Sequence, residues 1–267
     1  MRRSTPGGIV ALLALACVLA AVGSPRGPGR SGALGPGRLG AGTVQAVPVR
    51  PGAGPGALGT IAQRWPHGIP VEPITTLRGR GRTITLTFDD GPDPRWTPAV
   101  LDLLRRYHAR AVFCLVGIHV VARPDLVRRI AREGHVLCDH TWTHDEYLWR
   151  RPMAEIRDEI GRTARAITRA AGVPPVFYRA PGGNWGSNVI AVARAGGLAP
   201  LGWAVDPRDW ARPGTGVIID RVLSAARPGA VVLMHDGYGA RGQSVAALRV
   251  ILATLAARGY RFAVPGR

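Results

Sequence analysis

Between positions 83 and 264, short runs of β-branched and apolar residues alternate with longer stretches in which apolar side chains return every three or four positions. The first pattern suits strands and the second amphipathic helices, so the chain reads as repeated βα units. Strands are predicted over 83–88, 111–115, 135–138, 175–178, 199–202, 230–234 and 261–264. Helices are predicted over 97–107, 124–133, 153–171, 188–195, 216–225 and 243–258. Gly134, Gly172, Gly196 and Gly259 stand where helix ends favour a left-handed residue. About seven parallel strands with crossover helices make the fold class α/β, as an open sheet or a barrel, with all strand C-termini on one rim. Chemistry is expected on that rim.

Residues 1–24 form a different region: Arg2-Arg3, an apolar run over 9–22, and small residues at Ala21 and Gly23. This pattern predicts an export signal or N-terminal anchor, although the run is shorter than the ~18 residues of a membrane span. Residues 25–60 are Gly, Pro, Ala and Arg with few bulky apolar groups, and predict a disordered linker. That leaves 61–267 for one folded domain, expected to be monomeric and exported. Formal net charge is +18, and every basic side chain is Arg. Arg, Ala, Gly and Pro in surplus reflect a coding bias; the sharper reading is association with an anionic cell-wall or membrane surface. Arginines scattered without interleaved aromatics exclude a nucleic-acid stacking platform. Cys114 and Cys138 sit in apolar strand-like runs, where a small buried thiol is the commoner state, and are expected to be unpaired.

Five strand ends carry polar groups. The first strand leads into Thr87-Phe88-Asp89-Asp90-Gly91-Pro92, two carboxylates entering a tight turn, which alone is also ordinary turn chemistry. The third leads into His140-Thr141-Trp142-Thr143-His144, whose four-residue spacing places both imidazoles on one face of a helical turn. Such a pair suits a shared cation, and equally a surface or capping role. Arg179, then Asp206 with Asp209-Trp210, then His235-Asp236 follow the next three strands. A purely structural rim has little use for this succession of carboxylates, imidazoles and a guanidinium.

In order, these segments resemble the five motifs of the polysaccharide deacetylase family, the NodB-homology carbohydrate esterases: residues 87–92, 140–144, 179–183, 206–210 and 233–236. The resemblance runs from about 83 to 264 and implies a distorted parallel (β/α) barrel of fewer than eight strands. It implies a divalent metal held by Asp90, His140 and His144, with zinc first and cobalt, nickel or manganese as other occupants. Asp89 is similar to the family's general base, and Arg179 to the residue that orients it. His235 resembles the general acid, held by Asp209. The Gly182 amide resembles the oxyanion donor, and Trp210 and Leu233 the walls of an acetyl-sized pocket. The implied reaction is hydrolysis of N-acetyl groups on a polysaccharide such as peptidoglycan or chitin, with O-acetyl hydrolysis on xylan-like glycans as the alternative.

Two other classes fit part of the pattern. Two histidines and a carboxylate are also an iron-binding set of oxygenases, but Asp89, Arg179 and His235 argue for hydrolysis. A wall-binding module of the same fold would ordinarily lack a ligand or the base, and this chain keeps each. Asp206 is left open between a part in the site and a cap for the next loop, Asp236 is read as fixing a turn, Asp139 as a partner behind His140 or a surface group, and His67, His108, His119 and His135 as core-edge or surface residues. Trp142, Tyr147 and Trp149 are left open between sugar stacking and packing under a loop.

Overall fold

In a computed structural model, residues 68–77 and 81–264 are described. The predicted leader, anchor and linker, and His67, lie outside them. Seven strands appear in chain order: β1 (Thr83–Asp89), β2 (Ala111–Leu115), β3 (Val136–Asp139), β4 (Phe177–Tyr178), β5 (Ala199–Pro200), β6 (Val231–His235) and β7 (Arg261–Phe262). They are interleaved with α1 (Trp96–Arg106), α2 (Gly117–Ala122), α3 (Pro124–Arg132), α4 (Met153–Ala171), α5 (Ser187–Ala195), α6 (Thr215–Ala225) and α7 (Gly242–Ala257). Strand order is β5-β4-β3-β2-β1-β6, with β7 pairing the start of β1, and every pairing is parallel. Single bridges Val205↔Val232, Ile74↔Leu201 and Thr76↔Ala230 draw the β5 side towards β6 and curl the sheet into a distorted barrel.

Side-chain alternation divides the core. Along β2, Ala111, Phe113 and Leu115 pack with the outer helices, while Val112 and Cys114 join Val136, Cys138, Phe177, Leu201 and Val231 in a separate cluster. Because successive side chains point to opposite faces, a strand buried on both faces must be apolar or have its polar groups satisfied internally. β2, wholly buried, reads as a continuous apolar run, whereas the equally buried β1 alternates apolar residues with threonines, of which Thr85 and Thr87 donate to the Ala263 and Val232 carbonyls at 2.8 Å. Leu101 and Leu104 of α1, and Leu248, Ile251 and Leu255 of α7, form the matching helical stripes.

Three expectations need correction. Cys114 and Cys138 form a disulfide: they are register partners on β2 and β3, with Cα atoms 4.2 Å apart, so both side chains leave the sheet on one face. Sequence spacing does not reveal a register. The left-handed glycine after α5 is Gly197 at φ 79°, while Gly196 remains at φ −79°. Helix α2 has no predicted counterpart, because its six residues, rich in Val and Ile, are too few to display a period.

Candidate active site

β1 delivers two consecutive carboxylates to the rim, and alternation separates their directions. Asp89 Oδ1 receives a 2.7 Å hydrogen bond from Arg179 Nη1. Arg179 is fully buried and also donates to Thr87 Oγ1, Leu201 O and Gly202 O. A guanidinium with four partners of this kind is rigid and holds one Asp89 oxygen in a fixed direction. Asp90 lies at φ 76°, outside the usual basin for a side-chain-bearing residue, immediately before the cis Gly91–Pro92 bond.

His140 and His144 do not share a helical turn. The loop after β3 is irregular, with Thr141 at φ 65° and His144 at φ 62°. Side chains shape it: Asp139 Oδ1 accepts from the Thr141 amide at 2.9 Å, Glu159 Oε2 from the Trp142 and Thr143 amides at 2.9 Å, and Thr141 Oγ1 from the His144 amide at 3.0 Å. With Asp90, His144 makes two of the three candidate ligands left-handed, which is strain concentrated at a site.

The result is a compact donor set. His140 Nε2 and His144 Nε2 lie 3.5 and 3.2 Å from Asp90 Oδ1, and the three ligand atoms fall within 4.8 Å of one another. Asp90 Oδ1 is buried without a hydrogen-bond partner. The Nδ1–H of His140 donates to Arg179 O at 2.8 Å, which leaves the Nε2 lone pair facing Asp90. An orphaned carboxylate oxygen between two imidazoles oriented in this way fits a divalent cation. Burial opposes the charge on Asp90, and the two facing imidazoles, with His235 beyond, outweigh it and hold the carboxyl well below its usual range. Burial likewise opposes the charged form of His144, yet Asp90 and Asp89 raise its pKa overall.

Across the rim, His235 Nδ1 donates to Asp209 Oδ1 at 2.7 Å. Asp209 is fully buried, and its Oδ2 accepts from the His235 amide at 3.0 Å and from Ser244 Oγ at 2.6 Å. Burial alone would depress His235, but the Asp209 carboxylate prevails and pushes it up to about 9. The ring is therefore an imidazolium at neutral pH.

Asp89, Asp90, His140, His144 and His235 line one cleft of about 620 Å³ with Gly182, Trp210 and Leu233, while Arg179 and Asp209 stand behind them. That is room for a sugar ring rather than acetate alone. Gly182 is the middle residue of a single 3-10 turn at φ 61°, in which Gly183 and Asn184 donate to Ala180 and Pro181, leaving the Gly182 N–H outside the turn's bonding. Asp206 also lines the cleft, with Oδ1 accepting the Arg208 amide at 2.7 Å.

Several neighbours read otherwise in the sequence. His119 is no passive edge residue: its Nδ1–H donates to the carbonyl of Asp90 at 2.8 Å. Asp139 is fully buried rather than solvated, and burial raises its pKa well above the usual value. Asp236 accepts from Thr97 Oγ1 at 2.5 Å rather than from its own turn, and burial raises it to about 7. Trp142 packs against the core under the loop, while Tyr147 and Trp149 are exposed and do not line the cleft. Glu146, Trp203, Tyr238 and Arg241 line it without having stood out. Tyr238 lies between Gly237 and Gly239 directly after His235-Asp236, a discernible signal; Arg241 has none among so many arginines.

A family model described as polysaccharide deacetylase matches residues 77–201. A chitooligosaccharide deacetylase from Bradyrhizobium sp. (strain ANU 289) is 44% identical over 191 residues, 67% of this chain and 87% of that protein. A peptidoglycan-N-acetylglucosamine deacetylase from Bacillus cereus is 40% identical over 183 residues, 68% of this chain and 85% of that protein. Among solved structures, a family 4 carbohydrate esterase from Streptomyces lividans in complex with acetate superposes with a TM-score of 0.64 at 33% identity, covering 69% of this chain and 93% of that one.

Proposed function

This chain belongs to the polysaccharide deacetylase family, and from that premise we propose that it hydrolyses N-acetyl groups of peptidoglycan or a chitin-like N-acetylglucosamine polymer. The observation that carries the reading is the orphaned Asp90 Oδ1 between two imidazoles, with an oriented carboxylate on one side and an imidazolium on the other.

Asp90, His140 and His144 would hold a divalent metal, zinc by its preference for a few nitrogen and oxygen ligands. The chemistry supplied by such an ion is polarisation of the acetyl carbonyl and a lowered pKa for water. Asp89, one oxygen fixed by Arg179, takes the proton from water at its other oxygen. His235, with Nδ1 engaged by Asp209, presents Nε2–H to the departing amine, which cannot leave as an anion. The Gly182 N–H donates to the oxygen on which charge develops. Trp210 and Leu233 flank the methyl group, and Leu233 is 4% exposed against 47% for Trp210, so one wall is fixed and the other open to solvent. Proton transfers of this kind each contribute roughly 10²- to 10⁴-fold.

We further propose that 1–24 directs export, that 25–60 is a tether, and that the arginine-rich chain works as a monomer against an anionic cell wall. Among the described residues no helix is long and apolar enough to cross a membrane.

Acetate release from chitooligosaccharides, peptidoglycan fragments and acetylxylan, with and without chelator, tests the reading. Asp89→Asn is expected to keep its metal and lose turnover, and His140→Ala to lose both. Full acetate release by either variant contradicts the assigned roles, and release from acetylxylan alone selects the O-acetyl alternative.

A further inference from the structure

Arg241, the residue before α7, is 5% exposed, an unusual situation for a guanidinium without a hydrogen-bonded carboxylate. Its nearest carboxylate oxygen, Asp90 Oδ2, is 3.8 Å from Nη2, beyond hydrogen-bond reach. The donors go instead to three backbone carbonyls: Nε to Gly237 O at 2.6 Å, Nη2 to Tyr238 O at 2.6 Å, and Nη1 to Trp210 O at 3.3 Å. Gly237 and Tyr238 belong to the loop that leaves β6 after His235, whereas Trp210 follows Asp209 in the 3-10 turn beyond β5. One side chain thus bridges the two loops that carry the His235–Asp209 pair.

The surroundings leave the β6 loop little freedom to find this position unaided. Gly237 packs so closely on the Asp90 backbone that a β-carbon there would collide with the Asp90 carbonyl. Tyr238 sits at φ 47°, with its ring 5.2 Å from that of His144 and 4.9 Å from that of His119. Close approach and a left-handed residue cost free energy, which must be offset by a fixed partner, and the planar fork of Arg241 supplies it.

We propose that Arg241 is a positioning residue for the reaction: it locks the Trp210 turn to the Gly237–Tyr238 loop and so sets the separation of the acid pair and the open wall of the cleft. The proposal rests on the deacetylase reading for its rate measurements. The hydrogen bond between His235 and Asp209 can be observed without catalysis, so failure of one idea does not hide failure of the other. The three metal ligands come from the ends of β1 and β3, and the clamped loops, although they pack against Asp90 and His144, contribute none, so the ligand set stays complete and metal binding should survive loss of the clamp. Lysine cannot replace the fork, because a single ammonium lacks the planar geometry that reaches three carbonyls at once.

The experiment uses the full chain, Arg241→Lys and Arg241→Met, the second variant keeping an apolar stem. Zinc stoichiometry and affinity are measured against a chromophoric chelator, kcat and KM on chitooligosaccharide, and the downfield Nδ1–H proton resonance of His235 in metal-free protein. The expected result is one zinc per chain at an affinity within about threefold of native, kcat lower by on the order of 10- to 100-fold, and a shifted or broadened resonance, since ångström-scale misplacement costs that much. An unchanged kcat and resonance in a folded variant overturns the proposal. So does a fall in kcat that merely tracks lost zinc stoichiometry in Arg241→Lys, which would make the residue a fold stabiliser only. If native protein released no acetate while the resonance responded to the variants, the clamp would stand and the deacetylase reading would fall.

Discussion

Asp209→Asn isolates the charge proposed to make His235 an acid. Against the opposing effect of burial, Asp209, with smaller contributions from Asp90 and Asp89, raises His235 from 6.5 to about 9. At ~1.36 kcal/mol per tenfold change in proton affinity, that is a preference of about 3 kcal/mol for imidazolium. Asparagine keeps an oxygen near Nδ1 but no charge, so burial, now opposed only by the Asp90 and Asp89 carboxylates, should bring the ring down towards its ordinary value. For a ring returned to 6.5, the protonated fraction at pH 7.5 drops from about 97% to about 10%, a tenfold loss before any change in geometry and smaller than the ~10²- to 10⁴-fold that removing a general acid altogether would cost. The titration is followed by the His235 imidazole resonances in metal-free protein, and the rate by acetate release from the metal-loaded enzyme. The same pair stabilises the fold, and the sign follows from the raised value. Its contribution is complete below the unfolded value near 6.5 and disappears as pH rises through about 9. Retention of a His235 titration near 9 in Asp209→Asn, or of full acetate release, would refute the reasoning.

Metal affinity should fall with acidity, because His144 is raised by Asp90 and must shed a proton to act as a ligand; chelator competition at pH 6 and pH 8 should show weaker binding at the lower value. Reduction of Cys114–Cys138, which closes a segment of sequence separation 24, should cost about 3 kcal/mol in urea unfolding while leaving acetate release in dilute buffer intact. Arg179→Met strands Asp89 in a buried site, and urea unfolding should show a loss of about 3–5 kcal/mol together with loss of turnover. A stability within 1 kcal/mol of native would show that Arg179 is dispensable to the fold.

The βα alternation and the chemistry of the rim were legible in the chain itself. Strand β2 and helix α4 occupy the residues that periodicity assigns, because five buried apolar residues and nineteen with a persistent helical stripe each satisfy one pattern only. The motif positions Asp89, Asp90, His140, His144, Arg179 and His235 could be named because strand C-termini share a rim whatever the details of curvature. What only the tertiary structure decided was orientation. The loop carrying His140 and His144 is irregular because Asp139 and Glu159, partners on β3 and α4, take up its amides in place of a helical ladder. Cys114 meets Cys138 through a strand register, His119 reaches Asp90 from α2, and Arg241 gathers carbonyls from two loops some thirty residues apart. Local pattern encodes which face of an element is buried, since that depends on near neighbours with a fixed period. Hydrogen bonds and covalent links across loops depend on distances between distant segments, and those exist only once the sheet has curled.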